Sequence, residues 1–255
     1  MLTDPAILKA AYILLFILGL VSGSFVCEVA DRLPRHENFI YGRSHCESCG
    51  HVLSWYELLP LLSFIFQHGR CRRCGAALSP RYPLVEAVNA LLYVWVLTRY
   101  GLSFDTVIGC LLASALLGLS LIDLKTLEIP MGFNIFIFIL GIAFTIYDIA
   151  RLPAHLAGLF AVSVPLLLIQ LVSRGRAIGG GDIKLMAAAG LLLGWKGIIL
   201  AFVLACILGS LIHLIRMKFF GQGRRFAFGP YLTAGIFLSW LYSDALISAY
   251  LSLIL

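Results

Sequence analysis

The run Ile178-Gly179-Gly180-Gly181-Asp182-Ile183-Lys184 lies between two long apolar stretches and places an acid at the mouth of the second. Consecutive glycines let the backbone take conformations other residues resist and let a second chain come close. An ionisable group at the edge of a membrane segment is costly and by default marks a functional position. The plainer reading is a flexible turn in which Asp182 caps the next helix. A second acid in a matching place, Asp123 in Leu121-Ile122-Asp123-Leu124-Lys125-Thr126-Leu127-Glu128-Ile129-Pro130, tips the balance. Two such aspartates are the minimum for acid–base cleavage of an amide. A pair within hydrogen-bond reach shares a proton, so one acid activates water while the other protonates the carbonyl oxygen or the leaving amine. Gly180 and Gly181 would let an extended substrate segment approach the backbone. Lys184 is a candidate for binding substrate carbonyls, or an interfacial lysine reaching for the headgroups.

A second chemistry is written in Cys46-Glu47-Ser48-Cys49-Gly50 and Cys71-Arg72-Arg73-Cys74-Gly75. Four thiolates at C-x-x-C spacing suit a tetrahedral structural zinc, with Cys46, Cys49, Cys71 and Cys74 as ligands. Glycine after each pair allows the turn that aims both sulfurs at one ion. A disulfide pair competes with this reading but fits poorly in a reducing compartment. A redox C-x-x-C would need a strand–helix context that is missing here. His45, His51 and His68 lie nearby and could replace a thiolate, supporting or surface roles being the plainer reading. A segment of this size with few aliphatics needs such a staple. Its apolar stretch from Trp55 to Phe66 is expected against the membrane surface or the helix bundle.

The elements that position these groups are membrane helices. The chain of 255 residues is 61% hydrophobic and 13% charged, about half the charge of a soluble domain. Apolar runs fall at 6–29, 83–99, 104–122, 131–149, 154–173, 185–195, 197–215 and 231–255. The run 185–195 is short, and the last contains Asp244, where a break is expected. The expected fold is an all-α polytopic membrane protein of about eight transmembrane helices, with a small cytoplasmic zinc-binding insert after the first. The expected division is 1–29 as first helix, 30–82 as the four-cysteine zinc domain and 83–255 as the peptidase domain. No signal-peptide cleavage pattern follows the first run, which is expected to be retained.

Of the 19 Lys and Arg, all but Lys9, Arg99, Arg151 and Lys196 fall in 30–82, 123–130, 174–184 and 216–230. The positive-inside rule puts those four segments, and with them both aspartates, at the cytoplasmic face. It also explains the net charge of +6 without a nucleic-acid partner. No G-x-x-x-x-G-K-[ST] loop is present. Cys27, Cys110 and Cys206 read as small hydrophobes. Asp105 and Asp148 read as caps or solvated ends, and Gln170 and His213 as packing partners. Glu86, just inside the membrane after Pro83, needs a partner, with Arg81 or Arg43 as candidates.

Other classes are testable against the same residues. A transporter using both acids to bind a cation calls for mid-membrane acids and inverted repeats. An inactive assembly protein calls for loss of one acid, and a protease of presenilin type would lack the cysteine knuckles.

From Gly23 to Leu232 the chain resembles the type IV prepilin peptidases. The likeness rests on Gly23-Ser24-Phe25 with Arg32-Leu33-Pro34, on Arg43-Ser44-His45-Cys46 through Cys49-Gly50, and on Trp55-Tyr56-Glu57 with Pro60-Leu61-Leu62-Ser63. It continues in Gly69-Arg70-Cys71 through Cys74-Gly75, Ser79-Pro80-Arg81-Tyr82-Pro83-Leu84-Val85-Glu86, the Asp123 to Pro130 spacing, the glycine–aspartate run and Phe228-Gly229-Pro230-Tyr231-Leu232. The resemblance implies a multi-pass enzyme of the bacterial inner membrane acting on prepilins and pseudopilins. Such an enzyme removes a short basic leader after a glycine and methylates the new amino group with S-adenosylmethionine. Carried onto this chain, Asp123 and Asp182 are the protease acids, the four cysteines hold zinc, and Glu86 is the candidate for handling the substrate amine. Glu28, Asp31, Glu47 and Glu57 are candidates for attracting the leader. Cys27, Leu58, Ala90 and Met131 depart from the family pattern, the first three in ways that bear on methyl transfer.

Overall fold

The structure, a computed structural model, describes residues 5–38, 41–42, 44–46, 48–220 and 227–254, without the side chains of 219, 220 and 254. The described residues are helical apart from turns and two isolated β-bridges. The helices are α1 (Pro5–Arg32), α2 (Leu62–Phe66), α3 (Arg81–Tyr100), α4 (Phe104–Thr126), α5 (Met131–Tyr147), α6 (Leu152–Ala161), α7 (Ser163–Val172), α8 (Gly180–Phe220) and α9 (Gly229–Ile254). Among the described residues, five stretches are long and apolar enough to cross a membrane: Pro5–Arg35, Phe104–Thr126, Ile149–Val172, Gly180–Lys218 and Gly229–Leu253. The α5 helix is apolar but shorter. The α3 helix, interrupted by Arg81, Glu86, Asn89 and Arg99, is not among the five.

The apolar runs map onto these helices with two adjustments. The run 154–173 is divided at Val162 into α6 and α7. The runs 185–195 and 197–215 share α8, which is interrupted at Gly194 by a non-helical backbone (φ 71°, ψ 172°). The expected break at Asp244 does not occur, because that side chain is exposed and α9 continues past it.

The chain forms two compact units, Met1–Ser114 and Ala115–Leu255. In the first, α1 packs on α3. Since lipid is as apolar as leucine, close backbone approach rather than water exclusion drives such crossings. A Cβ at Gly19 would lie 2.5 Å from the Ala90 Cα, and one at Gly23 2.8 Å from the Glu86 Cα. The buried Asn89 amide donates to the Gly19 carbonyl at 2.8 Å and to Ser22 Oγ at 3.1 Å, and accepts from Ser114 at 3.0 Å. A polar group in hydrocarbon needs such partners.

In the second unit, α8 is the element against which α5, α6, α7 and α9 pack. The tightest crossing is α6 on α8, where a Cβ at Gly190 would run into the Gly158 carbonyl. The break at Gly194 has a local explanation. An uninterrupted helix would bond the Leu191 carbonyl to the N–H of residue 195. Instead that carbonyl accepts from Thr145 Oγ1 of α5 at 3.3 Å and lies 2.9 Å from His155 Nδ1 of α6. Outward-facing aliphatics such as Ile13, Ile17, Leu168 and Leu171 stay exposed, which suits a lipid-facing surface.

Candidate active site and metal centre

Asp123 lies in the last turn of α4 and Asp182 in the first turn of α8. Both are therefore at helix ends, not mid-helix. The α4 helix stops because Leu127 turns left-handed (φ 58°), with its N–H on the Asp123 carbonyl at 2.9 Å. The chain then doubles back through Ile129 and Pro130 into α5. That return passes directly over the glycine run, since a Cβ at Gly181 would stand 2.8 Å from Ile129 Cβ. Glycine at 181 is thus a steric requirement that lets the segment after one acid lie on the segment before the other. Gly180 faces Gln170, whose Nε2 would be 3.5 Å from a Cβ there.

Asp182 accepts a hydrogen bond from the Gly179 N–H and interacts electrostatically with Asp123. The hydrogen bond at the helix start and the interaction with the second acid therefore fall on one side chain. Asp123 is buried, at 5% exposure, whereas Asp182 is half-buried. Lys184 is exposed.

Sequence reasoning gave Gly229 no role. Its N–H, at the start of α9, donates to Asp123 Oδ2 at 2.8 Å in the protein interior. A Cβ at this position would lie 2.5 Å from that oxygen and 2.8 Å from Cγ. One turn back along α4 and one turn on along α9, Ser120 and Thr233 share a 2.6 Å hydrogen bond. The only signal in the sequence was the Phe228-Gly229-Pro230 motif, with proline at the second helical position of α9.

The metal candidates lie in the first unit. The sulfurs of Cys46, Cys49, Cys71 and Cys74 all fall within 4.8 Å of one another, with Cys46 and Cys74 Sγ 3.9 Å apart. Sulfurs around a tetrahedral ion at the usual Zn–S distance stand about 3.8 Å apart, so the cluster could hold a metal ion. The two knuckles are built alike. Cys46 N–H reaches the His51 carbonyl and Gly50 N–H returns to Cys46; Cys71 and Ala76, Gly75 and Cys71 repeat the pattern. Gly50 (φ 68°) and Gly75 (φ 73°) occupy the left-handed position that the turn demands. Backbone N–H groups, first those of Cys49 and Cys74, lower the thiols of Cys46 (to about 7) and Cys71. Cys74 receives a lowering hydrogen bond from Ala76, yet burial and the neighbouring sulfurs push it up to about 11.

Glu86 is buried, at 6% exposure. The sequence suggested Arg81 or Arg43 as its partner. Arg81 instead pairs with Asp31 at 3.0 Å, which Tyr82 also bonds at 2.9 Å. Residues 81 and 86 are about 140° apart around the helix, which explains the divergence. Arg43 lies outside the described residues, as does Glu47. Glu86 accepts the Leu61 N–H at 2.8 Å and a hydrogen bond from Ser24. Among the described residues no cation meets it. Glu28 is taken up by Arg32, and Glu57 by the Ser54 N–H and His51, so neither is a free surface acid. Of the departing positions, Ala90 and Cys27 are buried, while Leu58 and Met131 are exposed.

Two family models match the chain, the Bacterial Peptidase A24 N-terminal domain over residues 17–100 and the Type IV leader peptidase family over residues 110–214. A prepilin leader peptidase/N-methyltransferase of Bacillus subtilis is 34% identical over 95% of this chain and 98% of its own length. The chain belongs to the type IV leader peptidase family. Relatives carrying the same name in Aeromonas salmonicida (31% identical, covering 95% of this chain and 94% of theirs) and Pseudomonas putida (32%, 93% of each) agree. No solved structure matches the chain. Within this leader peptidase family pattern, the N-terminal match contains Glu86 and the four cysteines, and the C-terminal match contains Asp123 and Asp182. Gly229 lies beyond the matched residues.

Proposed function

We propose that this chain is a prepilin leader peptidase and N-methyltransferase of the bacterial inner membrane, with Asp123 and Asp182 as its catalytic acids. The reading is carried by one observation. The segment after Asp123 lies on the glycine before Asp182, while a third element, the Gly229 amide, fixes the Asp123 carboxylate. In the proposed reaction one carboxylate takes a proton from water as its oxygen bonds the scissile carbonyl carbon. The other acid protonates the leaving nitrogen as the C–N bond breaks, releasing a carboxylate on the leader and a new amine on the mature chain.

The clustering of Lys and Arg supports a cytoplasmic position for both acids and for the four-cysteine insert, taken as 30–82, with 83–255 as the peptidase domain. A substrate helix would then stay in the bilayer while its basic leader remains in the cytosol, the form prepilins and pseudopilins share. Cys46, Cys49, Cys71 and Cys74 would hold zinc in a structural role, closing the insert around one ion.

S-adenosylmethionine, when bound, supplies the methyl group. The fit on this chain is Glu86, a buried carboxylate with only neutral donors among the described residues, which leaves its charge for a cation such as the substrate ammonium. There Glu86 would orient the amine and accept the proton it sheds. Gly180, Gly181 and Lys184 border the acids and are proposed to meet the substrate backbone.

The test is cleavage of a peptide spanning basic leader and apolar helix by the purified chain, with mass spectrometry of the products. Asp123→Asn and Asp182→Asn should each abolish cleavage, and the new N-terminus should gain a methyl group only when S-adenosylmethionine is present. Cleavage that survives either substitution sinks the two-acid mechanism.

A further inference from the structure

The four-cysteine insert carries an apolar surface that its own fold does not cover. Trp55 is 75% exposed, Leu62 52%, Ile65 63% and Phe66 74%, all on the short turn Trp55–Leu58 and on α2, which touch each other. A cluster of this kind is not held out toward water without a partner. Beside it in the chain, Arg70, Arg72 and Arg73 are exposed, and Arg72 sits over the Tyr56 ring at 5.3 Å. The combination of an indole, aliphatic and phenyl groups and a basic fringe is what an anionic bilayer surface takes up. The segment is also tethered close to such a surface, because it is bounded by α1 and α3, which pack on each other.

We infer that the insert docks on the lipid surface through Trp55, Leu62, Ile65 and Phe66, with Arg70, Arg72 and Arg73 on anionic headgroups. The dock has a mechanical link to the interior of the unit. Leu61, the residue just before α2, is held at positive φ (58°, with ψ −49°), an uncommon state for a leucine. It is this strained residue whose N–H meets Glu86 Oε2. Seating α2 in the headgroup layer therefore sets the donor on Glu86. The coupling to methyl transfer rests on the role proposed above for Glu86, whereas the docking itself does not.

The test uses the full chain in nanodiscs of phosphatidylcholine, with and without phosphatidylglycerol. The Trp55 signal is the difference in emission between wild type and Trp55→Phe. Docking gives a blue-shifted Trp55 signal that brominated lipid quenches and aqueous iodide does not. Adding phosphatidylglycerol strengthens the quenching, and changing Arg70, Arg72 and Arg73 to Gln removes that dependence. A double variant, Ile65→Asp with Phe66→Asp, that retains its metal should lose lipid quenching and lose methylation while leader cleavage persists. A Trp55 signal open to iodide and untouched by brominated lipid overturns the docking, including the case where another protein is the true partner. Docking with methylation unchanged in the double variant overturns the link through Leu61. Absence of cleavage by the wild-type chain counts against the enzyme reading and leaves the quenching result standing.

Discussion

The backbone N–H of Gly229 and the Oδ2 of Asp123, far apart in sequence, form a buried 2.8 Å hydrogen bond. No side chain fits between them, since a Cβ at 229 would stand 2.5 Å from that oxygen. Gly229→Ala should therefore displace the carboxylate and lower the cleavage rate by roughly 100-fold, the scale of a small misplacement at a reacting centre. Thr233→Val, which removes the nearby bond to Ser120, should leave the rate within a few-fold. Equal losses in both variants would show that the α4–α9 contact matters only as packing.

Asp182→Asn offers a separation of folding from chemistry. An asparagine oxygen can still accept the Gly179 N–H, so thermal unfolding of the purified protein should shift little. Cleavage should nonetheless vanish, because an amide cannot take or give the proton. A large drop in unfolding temperature would mean that the charge of Asp182 is structural.

Metal binding by the insert should release protons, with a pH dependence of stated sign. In the metal-free cluster Cys46 loses its proton near 7 while Cys74 holds its own up to about 11. A metal needs all four as thiolates. Near neutral pH, binding must expel the Cys74 proton, part of that on Cys46 and whatever protons the other two thiols still carry. Affinity should climb with pH until Cys74 ionises, and acidification should discharge the ion. Titration of zinc into weakly buffered protein with an indicator dye reads this directly; an absence of proton release would rule out four-thiolate coordination.

Asn134, at 4% exposure, has neither its amide oxygen nor its nitrogen paired among the described residues. Replacing an unsatisfied buried amide by an apolar group of similar size should stabilise by about 1–2 kcal/mol. Asn134→Leu is therefore expected to unfold at higher temperature. A lower unfolding temperature would indicate that a bound water or substrate group belongs there.

Gly190→Ala should be damaging at a distance from the acids. The new methyl would meet the carbonyl of Gly158, backbone that cannot yield as a side chain can, forcing α6 off α8. A cost of about 1–3 kcal/mol is expected from such overpacking. Unfolding midpoints in detergent would record it, and an unchanged midpoint would refute this crossing.

The parts of this molecule that could be read from its sequence are those set by short spacing. Each cysteine knuckle is closed by bonds within a few residues, so Cys46 to Gly50 and Cys71 to Gly75 announce the turn on their own. The helices around Asp123 and Asp182 were visible because membrane segments need long apolar runs. Contacts between distant segments left no such trace. Nothing in the periodicity of α9 ties Gly229 to Asp123, and nothing in the glycine run names Ile129 as the residue that makes Gly181 necessary. The assignment of Arg81 to Glu86 followed proximity in the chain, whereas the helix turns the two side chains apart and Asp31 captures the guanidinium. Asp244 suggested a break, but an acid near the end of a helix can face out of it without ending it.

The interruption of α8 at Gly194 makes two levers of what looks like one rod. The lever bearing Asp182 is clamped at its far end, where the Leu191 carbonyl meets Thr145 and His155, while 195–220 leaves that clamp on its own axis. Because the helical ladder does not run through Gly194, the inner segment that carries Asp182 is held by contacts of its own to α5 and α6.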